Sequence, residues 1–120
     1  MIHVLSAREI HDLDEIGFVV LPDFFPELLA PLRARLDEIF AAEGDRAGFE
    51  FKPEPGCRRL ANLVDKGAIF RQAIVHPRLL PYLRHVLGNE FKLSSLNARS
   101  VNPFWKESQP LHADMAAIAD

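Results

Sequence analysis

Two residues near the end of the sequence have the types and the spacing of metal ligands. His112 and Asp114 are separated by one residue. In an extended strand such residues point to the same face, so an imidazole and a carboxylate can bind one ion. His-x-Asp is also the sequential half of the two-histidine, one-carboxylate triad that holds non-haem Fe(II) and leaves coordination positions open. The spacing therefore predicts an iron site that can accept a co-substrate and dioxygen.

The motif is short enough to arise by coincidence. Five histidines and eight aspartates occur in 120 residues, which gives about 0.3 His-x-Asp matches by chance, so the motif alone is only a hypothesis. A surface histidine and aspartate beside a loop is the simpler interpretation. The other histidines lie on segments that we place away from this motif, at positions 3, 11, 76 and 85. The rest of the sequence must therefore decide between the two interpretations.

Composition limits the class of protein. A length of 120 residues suits one domain, and 48% hydrophobic with 26% charged residues is typical of a globular protein. The net charge of −3 gives no basic surface, so we expect no nucleic-acid partner. The single cysteine, Cys57, lies in a predicted loop and fits a reducing compartment. No apolar run approaches the roughly 20 residues of a membrane span, which predicts a cytoplasmic protein without a membrane partner.

Helices are predicted for most of residues 1–89. A capping box of Ser6 and Glu9 begins the first helix and Gly17 ends it. A second helix begins near Pro26, with Pro31 either displacing its start or kinking it. Two further helices are predicted over about 68–75 and 79–87, separated by the helix-breaking His76-Pro77 pair. Residues 18–21 form an apolar, β-branched run that predicts a short strand, and residues 45–58 lack periodicity, which predicts a mobile loop.

Residues 91–101 have the alternation of a strand. Ser95, Asn97 and Arg99 would lie in line on one face. Such a polar face is common on the solvent side of an antiparallel sheet. It would equally form the polar wall of a cavity, and the pattern leaves both interpretations open.

The order of these features resembles the phytanoyl-CoA dioxygenase family of Fe(II)/2-oxoglutarate-dependent oxygenases. The resemblance covers the chain from about residue 6 onward and depends on order and spacing together. The matching segments are Gly17–Pro22 with the following helix, Phe70-Arg71, the helix between His76-Pro77 and Gly88, the strand with Asn97 and Arg99, and Gln109–Asp114.

The resemblance implies an α+β fold in which a helical N-terminal region, about 1–89, packs on the first strands of a double-stranded β-helix (jelly roll), about 90–120. His112 and Asp114 would be the first two iron ligands. Arg59, Asn97 and Arg99 would hold 2-oxoglutarate, whose charge needs guanidinium or amide donors. An equally weighted alternative is that Arg59 and its neighbour Arg58 are solvated charges in a loop.

One departure from the family pattern concerns the end of the sequence. The second histidine ligand and the arginine that anchors the distal carboxylate are expected beyond Asp120. We therefore expect the N-terminal part of a dioxygenase that hydroxylates an aliphatic C–H bond of a small molecule. The alternatives are a non-catalytic jelly-roll relative and a helical interaction domain with an accidental His-x-Asp. Neither the substrate nor the oligomeric state is predicted.

Overall fold

The computed structural model describes residues 2–108 and 110–112, and it has a mixed α+β fold, as predicted. Asp114 lies outside the described residues. The helices are α1 (Ala7–His11), which continues as a π-helical turn (Asp12–Ile16), α2 (Pro26–Glu43), α3 (Ala68–Ile74) and α4 (Leu80–Leu87). The strands are β1 (Cys57–Leu60) and β2 (Ala98–Val101). Within the described ranges, no helix combines the length and apolar character needed to cross a membrane.

The helix ends follow the local signals in the sequence. The Glu9 backbone N–H donates to the Ser6 hydroxyl at 3.2 Å, and the Ser6 backbone N–H donates to the Glu9 carboxylate at 2.7 Å. This confirms the capping box. Gly17, with φ of 94°, ends the first helical segment in a conformation that few other residues adopt. Helix α2 starts at Pro26 and includes Pro31, so Pro31 does not displace the helix start.

Two predicted strands differ from the observed ones. Residues 18–21 are not a strand, and the side chains of Phe18 and Val20 are well exposed. High β propensity does not form a strand without a neighbour for the backbone hydrogen bonds. The predicted strand over 91–101 is regular only over Ala98–Val101, because its partner β1 has only four residues.

Strand β1 itself was not predicted. It includes Cys57 and Arg58, which the sequence placed in a loop. The strand pairs antiparallel with β2, and the pairs in register are Cys57–Val101, Arg58–Ser100, Arg59–Arg99 and Leu60–Ala98. Two adjacent arginines interrupt the apolar pattern of β1, which explains why the strand was missed.

The core joins the helices to one face of this sheet. Its buried members are Ile39 of α2, Leu60 of β1, Leu63 of the 3-10 turn Leu63–Asp65 and Phe70 of α3. The Leu63 backbone N–H also donates to the Leu96 carbonyl at 2.9 Å, which holds the segment before β2 against the core. Because side chains alternate along a strand, Leu60 faces the helices while Arg59 faces the opposite side.

A hydrogen-bonded chain attaches the N-terminal segment to α4. The Tyr82 hydroxyl donates to the Glu9 carboxylate and accepts from His3 Nε2 at 2.9 Å. The Tyr82 hydroxyl, with the Ser6 backbone N–H and hydroxyl, lowers the pKa of Glu9 from 4.5 to about 2. Burial and the nearby Glu9 carboxylate raise the pKa of Tyr82 to about 12. The ionised Glu9 carboxylate therefore stabilises the folded state.

We expect Tyr82→Phe to lower the free energy of unfolding by about 1 kcal/mol at neutral pH, because a hydrogen bond to a charged group is lost. The pKa of Glu9, measured by NMR, should rise from about 2 toward 4.5. Because folding lowers this pKa, the stabilisation is present above 4.5 and is lost as the pH falls toward 2. The stability difference between the two proteins should shrink over the same range. A difference independent of pH would contradict this assignment.

Candidate functional site

The register of the sheet places two predicted site residues opposite each other. Arg59 of β1 pairs with Arg99 of β2, so both side chains lie on the sheet face away from the helices. The Arg59 side chain is only 17% exposed, and that of Arg99 is 41% exposed. Like charges directly opposite each other destabilise a sheet unless an anion lies between them.

Glu54 supplies that anion. Its Oε2 accepts from Arg59 Nη1 at 3.2 Å and from Arg99 Nε at 2.9 Å, while its Oε1 accepts from Arg99 Nη2. The Arg99 guanidinium holds the pKa of Glu54 below its ordinary value, and Glu54 in turn raises the pKa of Arg99. One carboxylate thus bridges two guanidiniums and forms a bidentate pair with one of them.

These three residues line a cavity of about 570 Å³. The other residues of its wall are Phe51, Lys52, Pro53, Pro55 and His112. The guanidinium carbon of Arg59 lies 4.5 Å from the centre of the Phe51 ring, which fixes the arginine against the wall. Lys52, Arg59 and Arg99 outnumber Glu54, so the cavity is positive in a chain whose net charge is −3. The cavity is therefore suited to an anionic ligand.

His112 reaches the same cavity from the C-terminal segment. Its Nδ1 lies 2.9 Å from the Pro110 carbonyl oxygen. A carbonyl oxygen only accepts, so Nδ1 is the donor in this contact. Metal-binding histidines commonly have this arrangement, in which one ring nitrogen donates to a backbone carbonyl and the other binds the metal. Among the described residues, no group of three or more His, Cys, Asp or Glu side chains clusters as a metal site.

The cavity brings together three of the predicted site residues, Arg59, Arg99 and His112. Asn97 is half-buried immediately before β2 and is not among the residues of the wall. Arg58 lies on the helical side of the sheet, with its guanidinium carbon 4.2 Å from the centre of the Phe40 ring. Only one of the two adjacent arginines therefore faces the cavity.

Two charged residues of the wall, Lys52 and Glu54, were missed by sequence analysis. They lie in residues 45–58, which show no periodicity. An acidic residue between Pro53 and Pro55, shortly before an arginine pair, is the signal that the sequence contained. Its meaning depends on the register of β1 and β2, which the sequence did not reveal.

Three of the remaining histidines have partners within the helical part of the chain. His76 Nε2 lies 2.8 Å from the Glu27 carboxylate, and His85 Nε2 lies 2.7 Å from the Asp14 carboxylate. His3 donates to Tyr82, as described above. These contacts connect helical segments and account for the three side chains without a metal.

Comparisons with family models, with curated proteins and with solved structures found no match to this chain. Membership of the phytanoyl-CoA dioxygenase family therefore stays a proposal. The positive cavity and the contact between His112 Nδ1 and the Pro110 carbonyl are the structural observations that bear on function.

Proposed function

We propose that this chain carries the 2-oxoglutarate-binding residues and two metal ligands of an Fe(II)/2-oxoglutarate-dependent dioxygenase of the phytanoyl-CoA dioxygenase type. In this proposal β1 and β2 belong to the jelly roll of the enzyme. One observation carries the proposal: Arg59, Arg99 and His112, which are far apart in sequence, line a single cavity.

The cavity has the charge and size for the co-substrate. A volume of about 570 Å³ lies within the range of about 300–1,000 Å³ typical of small-molecule sites. Two guanidiniums side by side present several N–H donors in fixed directions, which is the arrangement that recognises carboxylates. Lys52 adds a third positive charge to the wall. A dicarboxylate such as 2-oxoglutarate is the class of ligand that this wall fits best.

His112 and Asp114 are the residues of this chain that would hold the metal. His112 would bind Fe(II) through Nε2, since the Pro110 carbonyl holds the proton on Nδ1. Asp114 would supply a carboxylate oxygen, as the His-x-Asp spacing predicts. When bound, Fe(II) and 2-oxoglutarate supply the oxidising chemistry that hydroxylates an aliphatic C–H bond. The chain contributes by holding the imidazole in the ligand tautomer and by orienting the co-substrate against Arg59 and Arg99.

The same proposal extends to partners and location. The substrate is a small molecule, and the protein works in the cytoplasm without a nucleic-acid or membrane partner. The net charge of −3 and the three basic residues that line one cavity support a small anionic ligand over a polyanion, which needs an extended basic surface.

Adjacent arginines offer a matched pair of variants to test the anion site. Arg59→Gln and Arg58→Gln remove the same charge from the same strand, but only Arg59 lines the cavity. We expect Arg59→Gln to weaken 2-oxoglutarate binding at least about tenfold in the presence of Fe(II) without oxygen, since a charge-assisted hydrogen-bond donor is lost. Arg58→Gln should change the dissociation constant less than about twofold, because an exposed charge outside the site is screened.

Isothermal titration calorimetry of both variants and the unmodified chain gives these constants. Equal losses of affinity in the two variants would mean that the overall charge of the chain, and not the cavity, determines binding. That result would contradict the proposed anion site.

A further inference from the structure

Glu54 occupies the position where the carboxylate of a ligand would bind. Its two oxygens accept from three N–H groups of Arg59 and Arg99, so the guanidiniums already hold a carboxylate of the chain itself. Arg59 Nε is buried and has no acceptor among the residues that the structure describes. Glu54 therefore satisfies Arg99 through two nitrogens but leaves a donor of Arg59 unused.

We propose that Glu54 is a specificity-determining internal competitor, whose carboxylate occupies the anion subsite of Arg59 and Arg99 until the carboxylate of an incoming ligand displaces it. This inference rests on the proposed function and adds to it the residue that sets the affinity of the site. An intramolecular carboxylate acts at high effective concentration, so a ligand with weak anchoring elsewhere does not replace it. A ligand with a second anchoring group, such as a dicarboxylate, does.

The surroundings of Glu54 give its side chain room to move. Glu54 also lines two neighbouring cavities, one of about 330 Å³ beside Trp105 and one of about 380 Å³ beside Phe40. The side chain thus stands between three spaces, and a rotation into either neighbour clears the subsite.

The backbone at this position has little freedom. Pro53 and Pro55 flank Glu54, each proline fixes its own φ, and Pro55 also restricts the residue before it. Displacement of the carboxylate is therefore a side-chain rotation and requires no opening of the segment.

Glu54→Gln tests this inference directly, with Glu50→Gln as the matched control. Both variants remove one carboxylate from the same segment, but Glu50 binds Lys66 and does not line the cavity. We expect metal-free Glu54→Gln to bind 2-oxoglutarate at least about tenfold more tightly than the unmodified chain, because the competing charge is removed. Glu50→Gln should stay within about twofold, since its charge is more distant and is screened.

Glu54→Asp provides a second variant that keeps the charge. Its side chain is one methylene shorter and should bridge the two arginines less well, so we expect an intermediate gain in affinity. Far-UV circular dichroism verifies folding, and Glu54→Asp decides the matter if Glu54→Gln fails to fold.

The possible results separate this inference from the proposed function. Unchanged or weaker binding by Glu54→Gln would overturn the inference and make Glu54 a residue that positions the arginines. An equal gain in Glu50→Gln would also overturn it. If Glu54→Gln binds 2-oxoglutarate more tightly but Fe(II) strengthens binding in no variant, the inference holds and the proposed function fails. If Fe(II) strengthens binding by the unmodified chain while both Glu54 variants match it, the inference alone fails. Absence of binding in every variant overturns both.

Discussion

His112→Ala is expected to weaken Fe(II) binding by about 100-fold or more. The imidazole is the neutral nitrogen ligand of the proposed site, and its loss leaves Asp114 without a neighbouring ligand in the motif. The side chain is exposed, so its removal should not disturb the fold. The dissociation constant, measured without oxygen by competition with a metal indicator, gives the effect.

His11→Ala is the matched control for this prediction. His11 is also an exposed histidine, but it lies on α1, away from the cavity. We expect Fe(II) affinity of this variant to equal that of the unmodified chain. Equal Fe(II) affinity in the unmodified chain, His112→Ala and His11→Ala would mean that iron binds at an unrelated site. Equal losses of affinity in the two variants would mean that iron binds adventitiously to surface histidines.

Leu60→Ala is expected to lower the free energy of unfolding by about 3–5 kcal/mol. Leu60 has no exposed surface, and it packs with Ile39, Leu63 and Phe70 where β1 meets the helices. Truncation of a fully buried leucine removes its transfer free energy and leaves a cavity that the neighbours fill only partly. Arg59 is the adjacent residue of β1, so this substitution should also weaken the anion site.

Leu29→Ala is the matched control for Leu60→Ala, because it makes the same substitution at an exposed position. Leu29 is 50% exposed on α2, and alanine has a high helix propensity, so its truncation should cost less than about 1 kcal/mol. Urea denaturation of the two variants measures both values. A similar cost for Leu29→Ala and Leu60→Ala would contradict the position of the core.

The helical part of this fold was accessible from sequence because its signals are local. The capping box of Ser6 and Glu9, the first-turn Pro26 and the breaking His76-Pro77 pair each act within a few residues. Their effects do not depend on distant parts of the chain. The boundaries of α2, α3 and α4 accordingly lie within about two residues of the predicted ones.

The strands were less accessible because pairing is not local. Residues 18–21 have higher β propensity than Cys57–Leu60, yet among the residues that the structure describes only the latter segment has a partner, at Ala98–Val101. Contact with the core through Leu60 and Ala98 stabilises that pair. Propensity measures how a residue fits a sheet surface and does not identify the neighbour.

The candidate site was only partly predictable, because part of it depends on strand pairing. Residue type and family resemblance selected Arg59, Arg99 and His112, and the structure places them at one cavity. The role of Glu54 depends on two arginines meeting across the sheet, which no spacing in the sequence reveals. Asn97, selected by its position on an expected long strand, precedes the shorter strand that is observed.

The visible spectrum of the chain with Fe(II) and 2-oxoglutarate, recorded without oxygen, tests the central claim most directly. A 2-oxo acid that chelates Fe(II) gives a charge-transfer band that neither component gives with the protein alone. If His112 and the two arginines form one site, the band appears when both are added and saturates with increasing 2-oxoglutarate. A spectrum equal to the sum of the separate mixtures would contradict the claim that metal and co-substrate share this cavity.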